Sequence, residues 1–205
     1  MKKLNLPVGI SDFEKIRENG YYYVDKSGLI SELLERETAE VTLITRPRRF
    51  GKTLGMSMLA NFFDIRKKSQ NLFTGLFDGL EITKNKTLCE RWMNQCPTIL
   101  FSLKDIDGLT FLNAYNQMQM QIANLYKEYT YLLDSDEIDP DDKNLFLQIK
   151  AGNANETQIS RSLNLLMRMM HRYYKKQVVL LLDEYDVPIA KASSNGYYAQ
   201  MMEIV

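Results

Sequence analysis

Gly51-Lys52-Thr53 are the residues of this 205-residue chain best suited to chemistry. They end the stretch Arg46-Pro-Arg-Arg-Phe-Gly-Lys-Thr53, which keeps the spacing G-x-x-x-x-G-K-[ST] except that Arg46 stands at the first glycine position. In that pattern successive backbone N–H groups turn inward around phosphate oxygens, and the positive end of the following helix adds to the attraction. Lys52 would reach the β- and γ-phosphates, and the Thr53 hydroxyl would sit on Mg²⁺. The first glycine normally gives the loop an unstrained bend at positive φ. Here Arg46-Pro47 must make the bend another way, because Pro47 pushes Arg46 toward an extended conformation.

Gly-Lys-Thr alone is ordinary turn-to-helix vocabulary, so its surroundings decide. The apolar, β-branched run before it predicts a strand over 41–45, and Leu54, Met58, Leu59, Phe62 and Phe63 after it fall at helical spacing. A second constellation lies far along the chain in Lys176-Gln-Val-Val-Leu-Leu-Leu-Asp-Glu-Tyr-Asp186. Its uninterrupted apolar run, Val178 to Leu182, describes a strand buried on both faces, as in a parallel sheet. Open α/β sheets place ligands at the carboxyl ends of such strands. Asp183 at that tip suits a ligand to Mg²⁺ or its waters, and Glu184 suits the base that orients and deprotonates an attacking water. The plain alternative is a buried strand capped by solvated carboxylates.

Other elements must position these groups. Strands are predicted over 41–45, 98–103 and 178–183. Ser11 to Glu14 has capping-box spacing for a short helix, and a second helix is predicted over 27–36. A long helix is predicted over 110–133. Another is predicted over 156–174, with Ile159, Leu163, Leu166, Met170 and Tyr173 as its apolar stripe. The acidic run from Asp134 to Asp142 lacks calcium-loop spacing and reads as a solvated turn. Ile10, Phe13 or Tyr23 are candidates for one wall of a base pocket, though tyrosines in such a segment are more often packing residues.

Composition sets bounds. Lys and Arg number 26 and Asp and Glu 26, so no global field argues for nucleic acid or an anionic membrane. The two cysteines, Cys89 and Cys96, and the single His171 fit no zinc or redox spacing. The first residues carry charge but no apolar core of a signal peptide, and no run reaches the ~20 apolar residues of a membrane span. A cytoplasmic location is expected.

Gly9-Ile-Ser-Asp-Phe13, Tyr23-Val-Asp-Lys26, the Arg46 to Thr53 loop and Leu182-Asp-Glu-Tyr-Asp186 together resemble the bacterial AAA-ATPase-like proteins. The resemblance implies an α/β fold: a P-loop NTPase three-layer sandwich with a parallel sheet, of the class with an added strand between the phosphate strand and the acidic strand. It implies one ATPase-like domain over 1–205, with a lead-in over 1–36 and a core over 37–205 that is incomplete at the C-terminus. The strand that separates the phosphate strand from the acidic strand in the sheet would follow the acidic strand in sequence and carry a polar sensor residue. Longer relatives often end in a restriction-type nuclease-like region.

ATP and Mg²⁺ are the cofactors so implied. Arg46, Arg48, Arg49 and Phe50 with Gly51, Lys52, Thr53 and Leu54 are the expected nucleotide contacts, at least one of Arg48 and Arg49 facing phosphate or an acidic partner. Thr53 and Asp183 are the expected metal ligands, and Glu184 and Lys52 the expected catalytic pair. Weak turnover by residues 1–205 alone is expected, for want of the sensor and an arginine finger. Two other functions remain open at this point: a phosphate or nucleic-acid binding module using the arginines, and a nucleotide-binding scaffold without turnover. A nucleic-acid partner could also act through the longer protein, and oligomeric state is left open.

Overall fold

Capping and apolar periodicity set the elements along the residues that the computed structural model describes: 5–35, 41–45 and 50–205, with 72–74 as backbone only. The chain divides into two compact units, Met1–Leu100 and Phe101–Val205. The first holds α1 (Phe13–Glu18), α2 (Gly28–Glu35), α3 (Lys52–Phe63), α4 (Lys68–Thr74) and α5 (Lys86–Trp92), with 3₁₀ turns at Ile65–Lys67 and Glu81–Lys84. β1 (Thr98–Ser102) begins in this unit and ends in the next. The second holds α6 (Phe111–Glu128), a 3₁₀ turn at Thr130–Asp134, α7 (Pro140–Lys150), α8 (Glu156–Ser160) and α9 (Ser162–Tyr174). It closes with β2 (Val179–Asp183), α10 (Asp186–Asn195) and α11 (Tyr198–Met202).

In the first unit the N-terminal segment is built onto α3. Asp12, one residue beyond the expected Ser11, caps α1 by accepting from the Lys15 N–H at 3.2 Å. The Phe13 N–H donates to the Ser57 hydroxyl of α3 at 3.0 Å. Phe13 is fully buried, with ring centroids 5.3 Å from Tyr23 and 5.1 Å from Phe77, and Phe77 lies 5.6 Å from Phe62 of α3. Each such ring contributes about 1.5–3 kcal/mol by burial, so this aromatic cluster fixes α3.

The other end of α3 is held by amides. Its last carbonyls lack partners inside the helix. Asn94, in a left-handed conformation at φ 53°, donates its side-chain amide to the Asn61 carbonyl at 3.0 Å and the Asp64 carbonyl at 2.8 Å. Its main-chain N–H reaches the Phe62 carbonyl at 2.7 Å, and Cys96 N–H takes that of Phe63 at 3.0 Å. Asn71 donates to the Asn61 carbonyl and to the Asn94 side-chain oxygen at 2.7 and 3.1 Å. Asn94→Ala removes one donor each from the Asn61 and Asp64 carbonyls, takes from the buried Asn71 amide its Asn94 acceptor, and keeps the unfavourable φ. The expected loss is about 3 kcal/mol, read as a lower urea midpoint at unchanged slope.

In the second unit α7 packs between α6 and α9. The Tyr126 and Phe146 rings lie 4.6 Å apart, and the buried Tyr126 hydroxyl donates to the Ser162 carbonyl at 2.7 Å. Burial pushes the Tyr126 pKa well up, so it stays a neutral donor.

Several expectations change. The predicted helix over 110–133 ends at Glu128 and continues as the 3₁₀ turn. The predicted helix over 156–174 breaks at Arg161 into α8 and α9. Of the predicted stripe, Ile159, Leu166 and Met170 are buried, joined by Leu165 and Met169, while Leu163 is half-buried and Tyr173 is 40% exposed. The acidic run is not simply a turn. Asp139 caps α7 by accepting from the Asp141 N–H, and Asp142 pairs with Arg168 and Arg172. Beyond the acidic strand, α10 and α11 were not anticipated.

β1 and β2 form a two-stranded parallel sheet, closed by Leu103 N–H donating to the Asp183 carbonyl at 3.0 Å. The α/β class stands, but the predicted strand over 41–45 does not form: Val41 is 87% and Leu43 63% exposed. A strand exists through its ladder partner, and among the described residues 41–45 have none. β2 likewise departs from the expected two-sided burial. Val179 to Leu182 are half-buried, as befits a strand with one neighbour in the sheet.

Candidate functional site

Two places in the chain carry the expected groups, one in each unit. In the first, Gly51 is the N-cap of α3 with φ 79° and ψ 28°, a left-handed conformation that glycine adopts without penalty. Its carbonyl accepts the first helical bond, from the Gly55 N–H at 2.9 Å. Among the described residues no side chain caps the helix, and no acidic residue stands in its first turn. The N–H groups there are therefore left for an external acceptor. Lys52 occupies the first turn, where a cation opposes the helix dipole. That choice runs against helix stability and suits a bound anion.

Lys52, Thr53 and Leu54 are half-buried, and Phe50 is 58% exposed. Arg46, Arg48 and Arg49, with Pro47, lie outside the described residues. A cleft of about 500 Å³ opens beside this helix start, with Phe50, Gly51 and Lys52 in its wall. Its apolar wall comes from Leu29 of α2, Ile44, and Met56 and Met58 of α3. Thr53 and Leu54 are not part of the lining, nor are the aromatic candidates of the lead-in. Phe13 belongs to the core instead, and Tyr23 donates its hydroxyl to the Met58 sulfur at 3.3 Å.

Among the cleft residues that were missed is Lys26, whose ammonium donates to the Phe50 carbonyl at 3.2 Å. It stands in a short irregular stretch, where neither periodicity nor capping gives a signal. Its neighbour Asp25 accepts from the Ser27 N–H at 2.8 Å and the Glu81 N–H at 2.7 Å. Burial raises the Asp25 pKa, but these hydrogen bonds outweigh it and hold the carboxyl below its ordinary value. A carboxyl depressed in the folded state stabilises the fold above its unfolded value and loses that contribution as pH falls toward the folded one. The stability advantage of the wild type over Asp25→Asn is therefore expected to hold from pH 7 to 5. It should shrink as pH falls below 3.8, measured by denaturation at a series of pH values.

In the second unit Asp183 ends β2 with 3% of its surface exposed. Its Oδ1 is buried with no hydrogen-bond partner among the described residues. An orphaned carboxylate oxygen at that depth calls for a cation or a donor. Glu184 follows at φ 53°, a left-handed conformation strained for any residue but glycine. It makes the turn between β2 and α10, and its carbonyl accepts from the Val187 N–H at 3.1 Å. Among the described residues no cluster of three or more His, Cys, Asp or Glu could hold a metal. Magnesium bound mainly through phosphate and water needs only one or two protein oxygens, so a single buried carboxylate such as that of Asp183 fits its demand.

These features define an α/β protein with an anion-ready helix start and a buried acid at the end of a sheet strand. Residues 7–205 match the family model described as "Predicted AAA-ATPase", and the chain belongs to that AAA-ATPase-like family. Over 199 residues it is 29% identical to "Uncharacterized protein in vnfD 5'region" of Azotobacter chroococcum mcd 1. That match covers 92% of this chain and 30% of the relative, so the chain spans under a third of the relative's length. No solved structure matches. No helix among the described residues is long and apolar enough to cross a membrane.

Proposed function

We propose that this chain is the ATP-binding part of a Mg²⁺-dependent ATPase that couples hydrolysis to a conformational change in a longer protein. The observation that carries it is the start of α3: a left-handed glycine cap, first-turn N–H groups without a side-chain cap, and Lys52 where the helix dipole disfavours a cation. Family membership supports nucleotide binding.

In this reading the N–H groups of the first turn and Lys52 grip the β- and γ-phosphates. Arg48 or Arg49 adds a further phosphate contact. Thr53 and Asp183 would hold Mg²⁺, which neutralises charge on the terminal phosphates. Glu184 orients the attacking water and takes its proton. The chain is read as a P-loop ATPase-like domain of the α/β class with a parallel sheet. Residues 1–205 alone would bind nucleotide and turn it over slowly.

Titration of the purified chain with ATP and GTP, with and without Mg²⁺, tests the reading, with single-stranded and duplex DNA as controls. Saturable Mg-ATP binding at one site supports it. Binding of DNA but not of nucleotide would favour the phosphate-gripping module instead.

A further inference from the structure

We propose that Lys26 is a second phosphate-binding ammonium of the Lys52 cleft, supplied from outside the phosphate loop; the inference rests on the nucleotide reading above. Its Nζ donates to the Phe50 carbonyl at 3.2 Å and lies 3.6 Å from the point that a Cβ on Gly51 would occupy. The ammonium is thus in van der Waals reach of the residue before Lys52, in the wall of the same cleft.

The root of this side chain is fixed. Asp25 ties the Ser27 and Glu81 N–H groups, and the buried Ser27 hydroxyl accepts from the Ile82 N–H at 3.1 Å. The Lys26 carbonyl then accepts from Leu29 N–H at 3.1 Å at the head of α2. A lysine usually spreads its charge over many rotamers. The residues on both sides of this one accept main-chain N–H bonds from the Glu81–Lys84 turn through their side chains, so its root is fixed and its ammonium reaches Phe50.

Its head is only partly used. An ammonium has three donors, and one goes to Phe50. Neither Lys26 nor Lys52 forms an ion pair among the described residues, although Glu32 and Glu81 line the same cleft. Two lysines and the positive end of α3 therefore face one cleft, with its two carboxylates paired to neither lysine among the described residues. Two ammoniums and a helix N-terminus free of such pairing can converge on a multiply charged anion that enters. A polyphosphate chain fits that demand better than a monophosphate.

The competing role for Lys26 is a mere tie on the Phe50 carbonyl. The two roles differ in how affinity depends on phosphate number. Lys26→Met and Lys26→Arg in the full chain are compared with wild type and Lys52→Ala for binding of ATP, inorganic tripolyphosphate and AMP by calorimetry. Lys26→Met is expected to weaken ATP and tripolyphosphate by about tenfold or more while AMP changes by less than about twofold. Lys26→Arg should restore most of the loss.

Wild-type affinity in Lys26→Met, or equal weakening of ATP and AMP, overturns the proposal. Should Lys26→Met not fold, acetylation of wild-type Lys26 with and without tripolyphosphate decides: protection is expected, and equal labelling overturns it. If wild type binds no nucleotide, or Lys52→Ala binds as wild type, the nucleotide reading fails and takes Lys26 with it. If only Lys26→Met behaves as wild type, Lys26 alone falls.

Discussion

Lys52→Ala is expected to weaken Mg-ATP binding by about 100-fold or more while the unliganded chain becomes slightly more stable. The two effects have opposite signs for one reason. Lys52 sits in the first turn of α3, where the helix presents its positive end. Removing a cation there relieves about 0.3–1 kcal/mol of unfavourable charge–dipole interaction. Alanine also has the better helix propensity, which adds a few tenths. With a triphosphate bound, the same ammonium would make charge-assisted hydrogen bonds worth about 1.5–3 kcal/mol each, and two of them would amount to roughly 100-fold or more. Calorimetric titration gives the first quantity and urea denaturation without ligand the second. A lysine serving only the fold would do the reverse, lowering stability and leaving ATP affinity alone. Unchanged ATP binding in Lys52→Ala would remove the central contact of the proposed site.

The parts of this fold that were legible in the sequence are those set by local physics. α3 was readable because its apolar residues recur at helical spacing after Gly51, and Met58, Leu59, Phe62 and Phe63 are indeed buried. β1 and β2 were readable as apolar runs with clear ends, to within a residue. The 41–45 segment has the same local signature and yet forms no strand, because a ladder needs a partner that the described residues do not supply. Asn61, Asn71 and Asn94 were illegible for a different reason. Each is a polar residue that sequence reading leaves on the surface, and their burial follows from carbonyls that only the folded chain brings together. Lys26 belongs with them. Its importance comes from a contact to Phe50, twenty-four positions away, which no periodicity encodes. The left-handed Glu184 was equally hidden, since non-glycine residues at positive φ are chosen by function or tertiary context and not by propensity.

Glu184→Gln is expected to lower ATP turnover by about 10²–10⁴-fold in the longer protein, with nucleotide affinity changed by less than about threefold. Glutamine keeps the size, the acceptor oxygen and the backbone burden of φ 53°, so stability should stay level while the ability to take a proton is lost. The strain offers a second, independent readout. Glu184→Gly is expected to raise stability by about 1–2 kcal/mol, because glycine occupies the left-handed region without the Cβ clash. It should also be as inactive as Glu184→Gln. A residue whose removal stabilises the chain and silences it is one whose conformation is kept for chemistry. If Glu184→Gly were destabilising, the left-handed turn would be serving the fold through the side chain. Wild-type turnover in Glu184→Gln would dismiss Glu184 as the base. A wild type that binds Mg-ATP but never turns it over in the longer protein would leave a nucleotide-binding scaffold, with Asp183 and its orphaned oxygen as its cation contact.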